Sequence, residues 1–391
     1  MKAVRIIAVV VAASLTACKG IETGPESDRP DLNRYVAMGS SLSMGFASGG
    51  LTADGQRASW PAQLATRAGV EFTLPVIDAP GCPPPLVTPL GNLRRADNSI
   101  FGTPTTCAPN SAGVSLPEQN VAISGATATA AVSFTPLNNA GDPLYSRVLA
   151  GNQTQLRAVE AMNPTFVSVE FGSNEILPAM SGLVSDASTS GFTGSFTQIA
   201  TELRQRTSAK AIMALLPSDV RKFPAMRTGP EVASQRAAFA ARNISVNTNS
   251  DASTNHVTLI GKILPTLVIA AARAATGLGP ADLSCADVPN TRDGILTPGD
   301  ITTLNAAVKL INDIITDRAN DNNFALFSLG SLYDTVKDGI PFDLNAILTS
   351  TTPFGSLMSL DGIHPSPAGH AILASAAQAG IVAKYGAIAE D

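Results

Sequence analysis

The chain has 391 residues, 45% of them hydrophobic and 15% charged, with a formal net charge of −5. That is enough apolar material for a large buried core, and the charge-poor, weakly acidic balance removes the electrostatic basis for a nucleic-acid partner. Three histidines in all, and no Cys or His pair at ligand spacing, argue against a metal centre.

Lys2 and Arg5 precede an uncharged stretch from Ile6 to Ala17, and Cys18 follows. A charged start, a short apolar run and small residues before a break read as a signal peptide over residues 1–17. The run is too short for a spanning helix, which needs about 20 apolar residues. Leu15-Thr16-Ala17-Cys18 resembles a bacterial lipobox, which implies that Cys18 becomes the lipidated first residue of the mature chain. An ordinary secreted protein with a free Cys near its start is the alternative. Residues 18–33 are polar, with Gly24, Pro25 and Pro30, and read as a tether. Lys19 after the cysteine leans towards the outer membrane, so the expected location is the bacterial cell envelope, with the membrane engaged through the lipid and no obligate protein partner.

From residue 34 onwards, short apolar runs suited to buried parallel strands alternate with stretches of helical periodicity. The expected strands are Arg34 to Met38, Asn120 to Ile123, Thr165 to Glu170, Ala211 to Leu216 and Phe324 to Ser328. The expected helices are Trp60 to Ala68, Ser146 to Met162, Phe196 to Thr207, Pro298 to Arg318 and Pro367 to Tyr385. In the fourth, Ile301, Leu304, Val308, Ile311 and Ile315 share one face, and Thr297 with Asp300 form a capping pair. Ser366 and Pro367 are a helix start. This alternation predicts an α/β fold with a parallel sheet covered on both faces.

Two stretches depart from the alternation and read as insertions, about 72–118 and about 221–295. The first is rich in Pro and Gly and is flanked by Cys82 and Cys107, which are paired as a disulfide; this leaves Cys285 as a free thiol, with other pairings open. Within the second, Val257 to Gly277 is mostly apolar but interrupted by Lys262, Pro265 and Arg273, which favours a cap or added helix over a membrane segment.

Four segments carry chemistry. Arg34-Tyr-Val-Ala-Met-Gly-Ser-Ser-Leu runs an apolar strand into Gly39 and a serine cluster, at the strand end where open α/β sheets bind ligands. Taken alone, Ser40 or Ser41 reads more simply as a helix N-cap. In Asp361-Gly-Ile-His364 a carboxylate three residues before an imidazole can fix its tautomer and leave Nε2 free to take a serine proton. The same residues also suit a surface turn; of the other histidines, His370 lies in the last expected helix and His256 in a polar stretch. Gly125 ends one expected strand and Asn174 follows another, a bare backbone amide and a neutral side-chain donor of the kind an oxyanion needs, although each singly reads as a turn.

In this order the segments resemble the SGNH (GDSL-like) serine hydrolase family. Gly39-Ser40-Ser41-Leu42 is similar to its Gly-Asp-Ser-Leu block, Gly125 lies in a match to its second block, Gly172-Ser173-Asn174-Glu175 is similar to Gly-x-Asn-Asp, and Asp361 with His364 matches Asp-x-x-His. The resemblance implies one domain over 34–391 with a three-layer flavodoxin-like fold, because Ser41 and His364 must meet. It implies Ser41 as nucleophile, His364 as base supported by Asp361, and the Ser41 and Gly125 amides with the Asn174 side chain as oxyanion donors, without cofactor or metal. Ser40 replaces the usual Asp, and Glu175 replaces the Asp after Asn174; Ser41 is favoured over its neighbours because Gly stands two before it and Leu directly after. The substrate expected is a carboxylic ester of lipase or carboxylesterase type. O-acetylated polysaccharide is the alternative within the same chemistry, and a non-catalytic envelope lipoprotein the alternative outside it.

Overall fold

A computed structural model describes residues 29–336 and 340–386. The expected signal peptide, Cys18 and the tether up to residue 28 lie outside the described residues. Pro30 and Leu32 are already buried, and the Leu32 carbonyl accepts the Tyr35 amide at 3.0 Å.

The strands among the described residues are β1 Tyr35–Gly39, β2 Phe166–Glu170, β3 Lys210–Leu215, β4 Met226–Thr228, β5 Ile244–Val246, β6 His256–Thr258, β7 Ala281–Leu283, β8 Ile295–Leu296 and β9 Ala325–Ser328. The main sheet runs β1-β2-β3-β9 and is parallel throughout, with Tyr35 opposite Phe166, Val167 opposite Ala211 and Ile212 opposite Ala325. Its inner strands are near-continuous apolar runs buried on both faces, as a sheet covered twice requires. The strand expected at Asn120 to Ile123 does run along the outer edge of β1: Ala37 donates to Gln119, Val121 to Ala37 and Ile123 to Gly39, at 2.8, 2.8 and 3.0 Å. Only Asn120 forms a formal bridge there, because the segment turns away at Ser124. Counted with it, the sheet has the second-first-third-fourth-fifth order of a flavodoxin-like fold.

Helices Trp60–Ala68 and Pro367–Tyr385 pack together in one layer, the second lying along β9 and β3, with the Trp60 ring 4.9 Å from that of Phe327. In the other layer Phe192–Arg206 packs on Pro298–Asn322, which lies against β3, while Gln155–Ala161 lies against β1. Both expected starts are present: Thr297 and Asp300 form a capping box, and the Ser366 hydroxyl accepts the Gly369 amide. The helix expected over Ser146 to Met162 is two, Pro143–Val148 and Gln155–Ala161. Gly151 takes a left-handed φ of +56° between them, and Thr154 caps the second. Pro298–Asn322 outruns its expected end by a turn and stops where Asn323 adopts φ +59°.

Residues 72–118 carry no helix longer than the turn Leu90–Asn92. The Cys82–Cys107 disulfide closes this loop, and Cys285 is a buried free thiol. The loop is sewn to the chain just after β1: Leu51 donates to Pro83, Cys82 to Leu51 and Leu86 to Ser48, while Arg95 reaches the Gly49 carbonyl at 2.9 Å. Residues 221–295 build two small sheets, β4-β6-β8 antiparallel and β5-β7 parallel. The apolar stretch from Val257 enters β6, makes one wide turn over Leu259–Ile263, and becomes helical only at Leu264–Ala275. Among the described residues no helix is long and apolar enough to cross a membrane.

Candidate active site

β1 ends at Gly39 and the chain turns at once into the short helix Ser41–Met44. The turn is tight: a Cβ on Gly39 would stand 2.7 Å from the Glu170 carbonyl oxygen and 2.8 Å from the Ser43 hydroxyl, so only glycine fits. The Gly39 amide donates to the Gln155 side-chain oxygen at 3.1 Å. Ser40 occupies the N-cap position, yet its hydroxyl makes no capping bond. It donates instead to the carboxyl of Glu170, at 2.9 Å to each oxygen. Ser41 is thus free of the cap role and presents its hydroxyl to the imidazole.

His364 Nε2 lies 3.0 Å from Ser41 Oγ, and Nδ1 lies 2.8 Å from Asp361 Oδ2. Asp361 is 1% exposed. Burial alone would raise its carboxyl, but the neighbouring imidazole, the His364 ring and backbone hydrogen bonds and the Ile363 amide outweigh burial and hold it well below the usual carboxylate range. An ionised Asp361 makes Nδ1 the protonated nitrogen and Nε2 the acceptor facing the serine. Asp361 is itself held by donors from three directions: Ser359 Oγ at 3.0 Å, the Ile363 and His364 amides at 2.9 and 2.8 Å, and the Gly49 amide at 2.9 Å. A second stitch joins the same two loops, the Ser48 amide to Ser359 Oγ at 2.9 Å and the Leu360 amide to Ser48 Oγ at 3.2 Å. The Phe46 ring lies 5.1 Å from the imidazole at a tilted angle.

Gly125 and Asn174 come to the same edge of the sheet. The Ser124 amide contacts Met44 Sδ at 3.3 Å, which sets Gly125 beside the helix of Ser41; Gly125 is exposed, at φ +83°, with open space where a Cβ would be. Asn174 Nδ2 donates to the Ala126 carbonyl at 3.0 Å, and the Glu175 carboxyl accepts the Ala128 amide at 2.8 Å. Glu175, at the position where the sequence pattern carries Asp, therefore ties the Gly125 segment to the Asn174 turn. Burial, set against those amide bonds, pushes its carboxyl up to about 7.

Ser41, Ser173 and His364 open onto one crevice whose walls are Leu42, Leu177, Pro217, Phe223, Leu329, Tyr333 and Ile363. Two further apolar hollows share Leu177 and Phe223 with it, one reaching Leu216, Val220 and Val308, the other Met226, Thr258 and Ile260 from the second departure. Sequence reasoning did not single out Glu170, Gly49, Ser359 or Gln155. Of these only Glu170 carried a visible signal, an acid interrupting the apolar run Phe166-Val-Ser-Val before Phe171.

The family model described as GDSL-like Lipase/Acylhydrolase matches residues 35–377. The chain belongs to this family. As a GDSL-like enzyme it is a carboxylic ester hydrolase, and the matched span holds each of the segments just described. No curated protein matches it. Among solved structures it is similar to an acetylxylan esterase from Geobacillus stearothermophilus, at 10% identity and a TM-score of 0.38 over 90% of this chain and 96% of that one. It is similar also to phospholipase A1 from Streptomyces albidoflavus, at 14% identity and 0.37 over 91% and 99%, and to an extracellular lipase from Streptomyces rimosus, at 16% and 0.34 over 88% and 98%. Likeness at this level carries no argument about what this GDSL-like enzyme acts on.

Proposed function

We propose that this hydrolase cleaves esters of apolar acyl groups through an acyl-enzyme on Ser41. The observation that carries the reading is the unbroken line from Ser41 Oγ through the His364 ring to buried Asp361, at 3.0 and 2.8 Å. His364 Nε2 takes the Ser41 proton as Oγ attacks the ester carbonyl, and Asp361 stabilises the imidazolium. The carbonyl oxygen becomes an oxyanion, met by the Ser41 and Gly125 amides and the second N–H of the Asn174 side chain. His364 then gives its proton to the departing alkoxide, which leaves as the alcohol. Water attacks the acyl-enzyme with His364 again as base, the acid is released, and the proton returns to Ser41.

The largely apolar walls of the crevice, Leu42, Leu177, Pro217, Phe223, Leu329 and Ile363, support an aliphatic or aryl acyl group over a sugar-borne acetyl. A fluorophosphonate probe and p-nitrophenyl esters of increasing chain length test this. Labelling and turnover lost in Ser41→Ala but kept in Ser40→Ala, with kcat/KM rising from acetyl to longer chains, is the expected result. An unlabelled wild type removes Ser41 as nucleophile, and highest activity on acetyl esters removes the apolar acyl group. We propose further that Cys18 carries a lipid anchor in the bacterial envelope, supported by the lipobox-like Leu15 to Cys18. Fatty-acid labelling equal in wild type and Cys18→Ala would sink it.

A further inference from the structure

Ser40 stands where the family block carries an aspartate, and the neighbouring strand carries an acid where a buried strand has no use for one. Glu170 closes β2 with no solvent exposure. What acts on its carboxyl is burial and the hydrogen bonds of Ser40 and Ser43, with no cation among them, and a buried carboxyl without a cation is costly to keep. What surrounds it instead is the turn of the nucleophile. Glu170 accepts the Ser40 hydroxyl at 2.9 Å, the Ser40 amide at 3.1 Å, and the Ser43 amide and hydroxyl at 3.3 Å each.

These contacts divide the amides at the start of the Ser41–Met44 helix. The first amides of any helix lack partners within it. Met44 already donates to the Ser40 carbonyl. Glu170 takes those of Ser40 and Ser43 from beneath, and the two left over belong to Ser41 and Leu42, the residues that line the crevice. We propose that Glu170 is a positioning residue for Ser41: it supplies from the second strand the carboxylate that the nucleophile block lacks at Ser40, and so fixes the turn that aims Ser41 Oγ at His364. The proposal rests on the reading of Ser41 as nucleophile.

Ionisation of this carboxyl is the natural handle for a test. Burial pushes it up to about 7 against the pull of the Ser40 and Ser43 hydrogen bonds. The groups around it are few. Tyr333, on the helix Gly330–Val336, is buried, donates to the Ile363 carbonyl at 2.8 Å, and is pushed well above its ordinary value by burial and by the charges of Asp361 and Glu170. Gln155, beside Gly39, is neutral, and His364 lies beyond Ser41. Protonated Glu170 turns one oxygen into a donor, so the contact of Oε1 with the Ser40 hydroxyl reverses and the turn loses its charged acceptor; Glu170→Gln makes that state permanent.

The experiment compares the full chain with Glu170→Gln, Ser40→Asp and the double variant, reading the rate of fluorophosphonate labelling from pH 6 to 8.5 with a melting scan on each. Glu170→Gln is expected to label about tenfold to a hundredfold more slowly at the alkaline end, the loss that a small misplacement of a reacting atom produces. It should converge on wild type at the acid end. Ser40→Asp sets two carboxylates against each other and slows labelling too. The double variant restores one carboxylate and one donor and should exceed both single variants, a recovery that generic loss of packing does not give. Wild-type rates in Glu170→Gln at the alkaline end, a loss of the same factor at every pH, or a double variant no faster than the slower single variant would each overturn the proposal. If Glu170→Gln does not fold, the double variant decides. An unlabelled wild type overturns the nucleophile reading and this proposal with it, whereas a labelled wild type with an indifferent Glu170→Gln overturns this proposal alone.

Discussion

Replacing Asp361 by Asn tests the triad more sharply than deleting any member of it, because the shape stays and one acceptor goes. The two carboxylate oxygens divide five donors: Oδ1 takes Ser359 Oγ and the Ile363 and His364 amides, while Oδ2 takes His364 Nδ1 and the Gly49 amide. An amide has one oxygen, and it stays with the three donors. The new NH2 then faces the Gly49 amide, donor against donor, and His364 Nδ1. The imidazole answers by carrying its proton on Nε2, so that the nitrogen 3.0 Å from Ser41 Oγ can no longer accept from it. Loss of the correct tautomer is expected to lower kcat on the order of 10⁴-fold. The broken bond at Gly49, from an amide to a charged acceptor, costs about 2 kcal/mol of stability. The assay is kcat and KM on a p-nitrophenyl ester with urea unfolding alongside. A folded Asp361→Asn enzyme within about tenfold of wild-type kcat would refute the tautomer argument, since that loss is only about 1.4 kcal/mol of barrier.

Glu170 and Glu175 both rise from 4.5 to about 7 on folding, so the folded chain holds their protons more tightly than the unfolded one. Their contribution is complete below the ordinary Glu range and is lost as pH rises through about 7. Unfolding free energies from urea titration should therefore be larger at pH 5 than at pH 8, by up to about 2.5 kcal/mol for each group, and a stability that climbs over that interval contradicts it. Asp361, held low, works in the opposite sense: its contribution is present above the ordinary Asp range and disappears on strong acidification. Asn174→Ala should lower kcat about 10²–10³-fold with little change in KM, and unchanged kcat would remove Asn174 from the oxyanion donors. Phe223→Ala joins three adjoining hollows and should raise kcat/KM for the longest acyl chains about tenfold relative to the shortest; an unaltered chain-length profile would place the acyl group elsewhere.

Much of this was legible in the residues because the features are local. Trp60–Ala68 and Pro367–Tyr385 announce both ends through a Ser before Pro or Trp and a Gly after, and the buried strands are near-continuous apolar runs. Ser41, Asp361 and His364 stand in short motifs that the sequence itself displays. What stayed hidden depends on contacts remote in sequence. Gly49 looks like half of a Gly-Gly turn until its amide is seen on Asp361, 312 residues away. Glu170 looks like an error in a strand until Ser40 and Ser43, just past the end of the adjacent strand, are seen to bond to it. The departure at 72–118 reads as a loop with a disulfide, and nothing in its composition says that it grips Ser48 to Leu51, the very segment that holds Asp361 in place. The split of the helix expected at Ser146 to Met162 was readable in Gly151 and Thr154, which the apolar periodicity on either side obscured.

The stitching of the Asp361 loop to Ser48 and Gly49 also makes the candidate site depend on contacts of very long sequence span. Ser41 and His364, the proposed nucleophile and base, stand 323 residues apart in the chain. Until the Asp361 loop reaches Ser48 and Gly49, the Gly49 amide lacks its carboxylate and Ser41 lacks the imidazole beside it. Contacts of such span form late and slowly. On the proposed reading of Ser41 and His364, hydrolysis therefore depends on the closing of these two distant loops on each other.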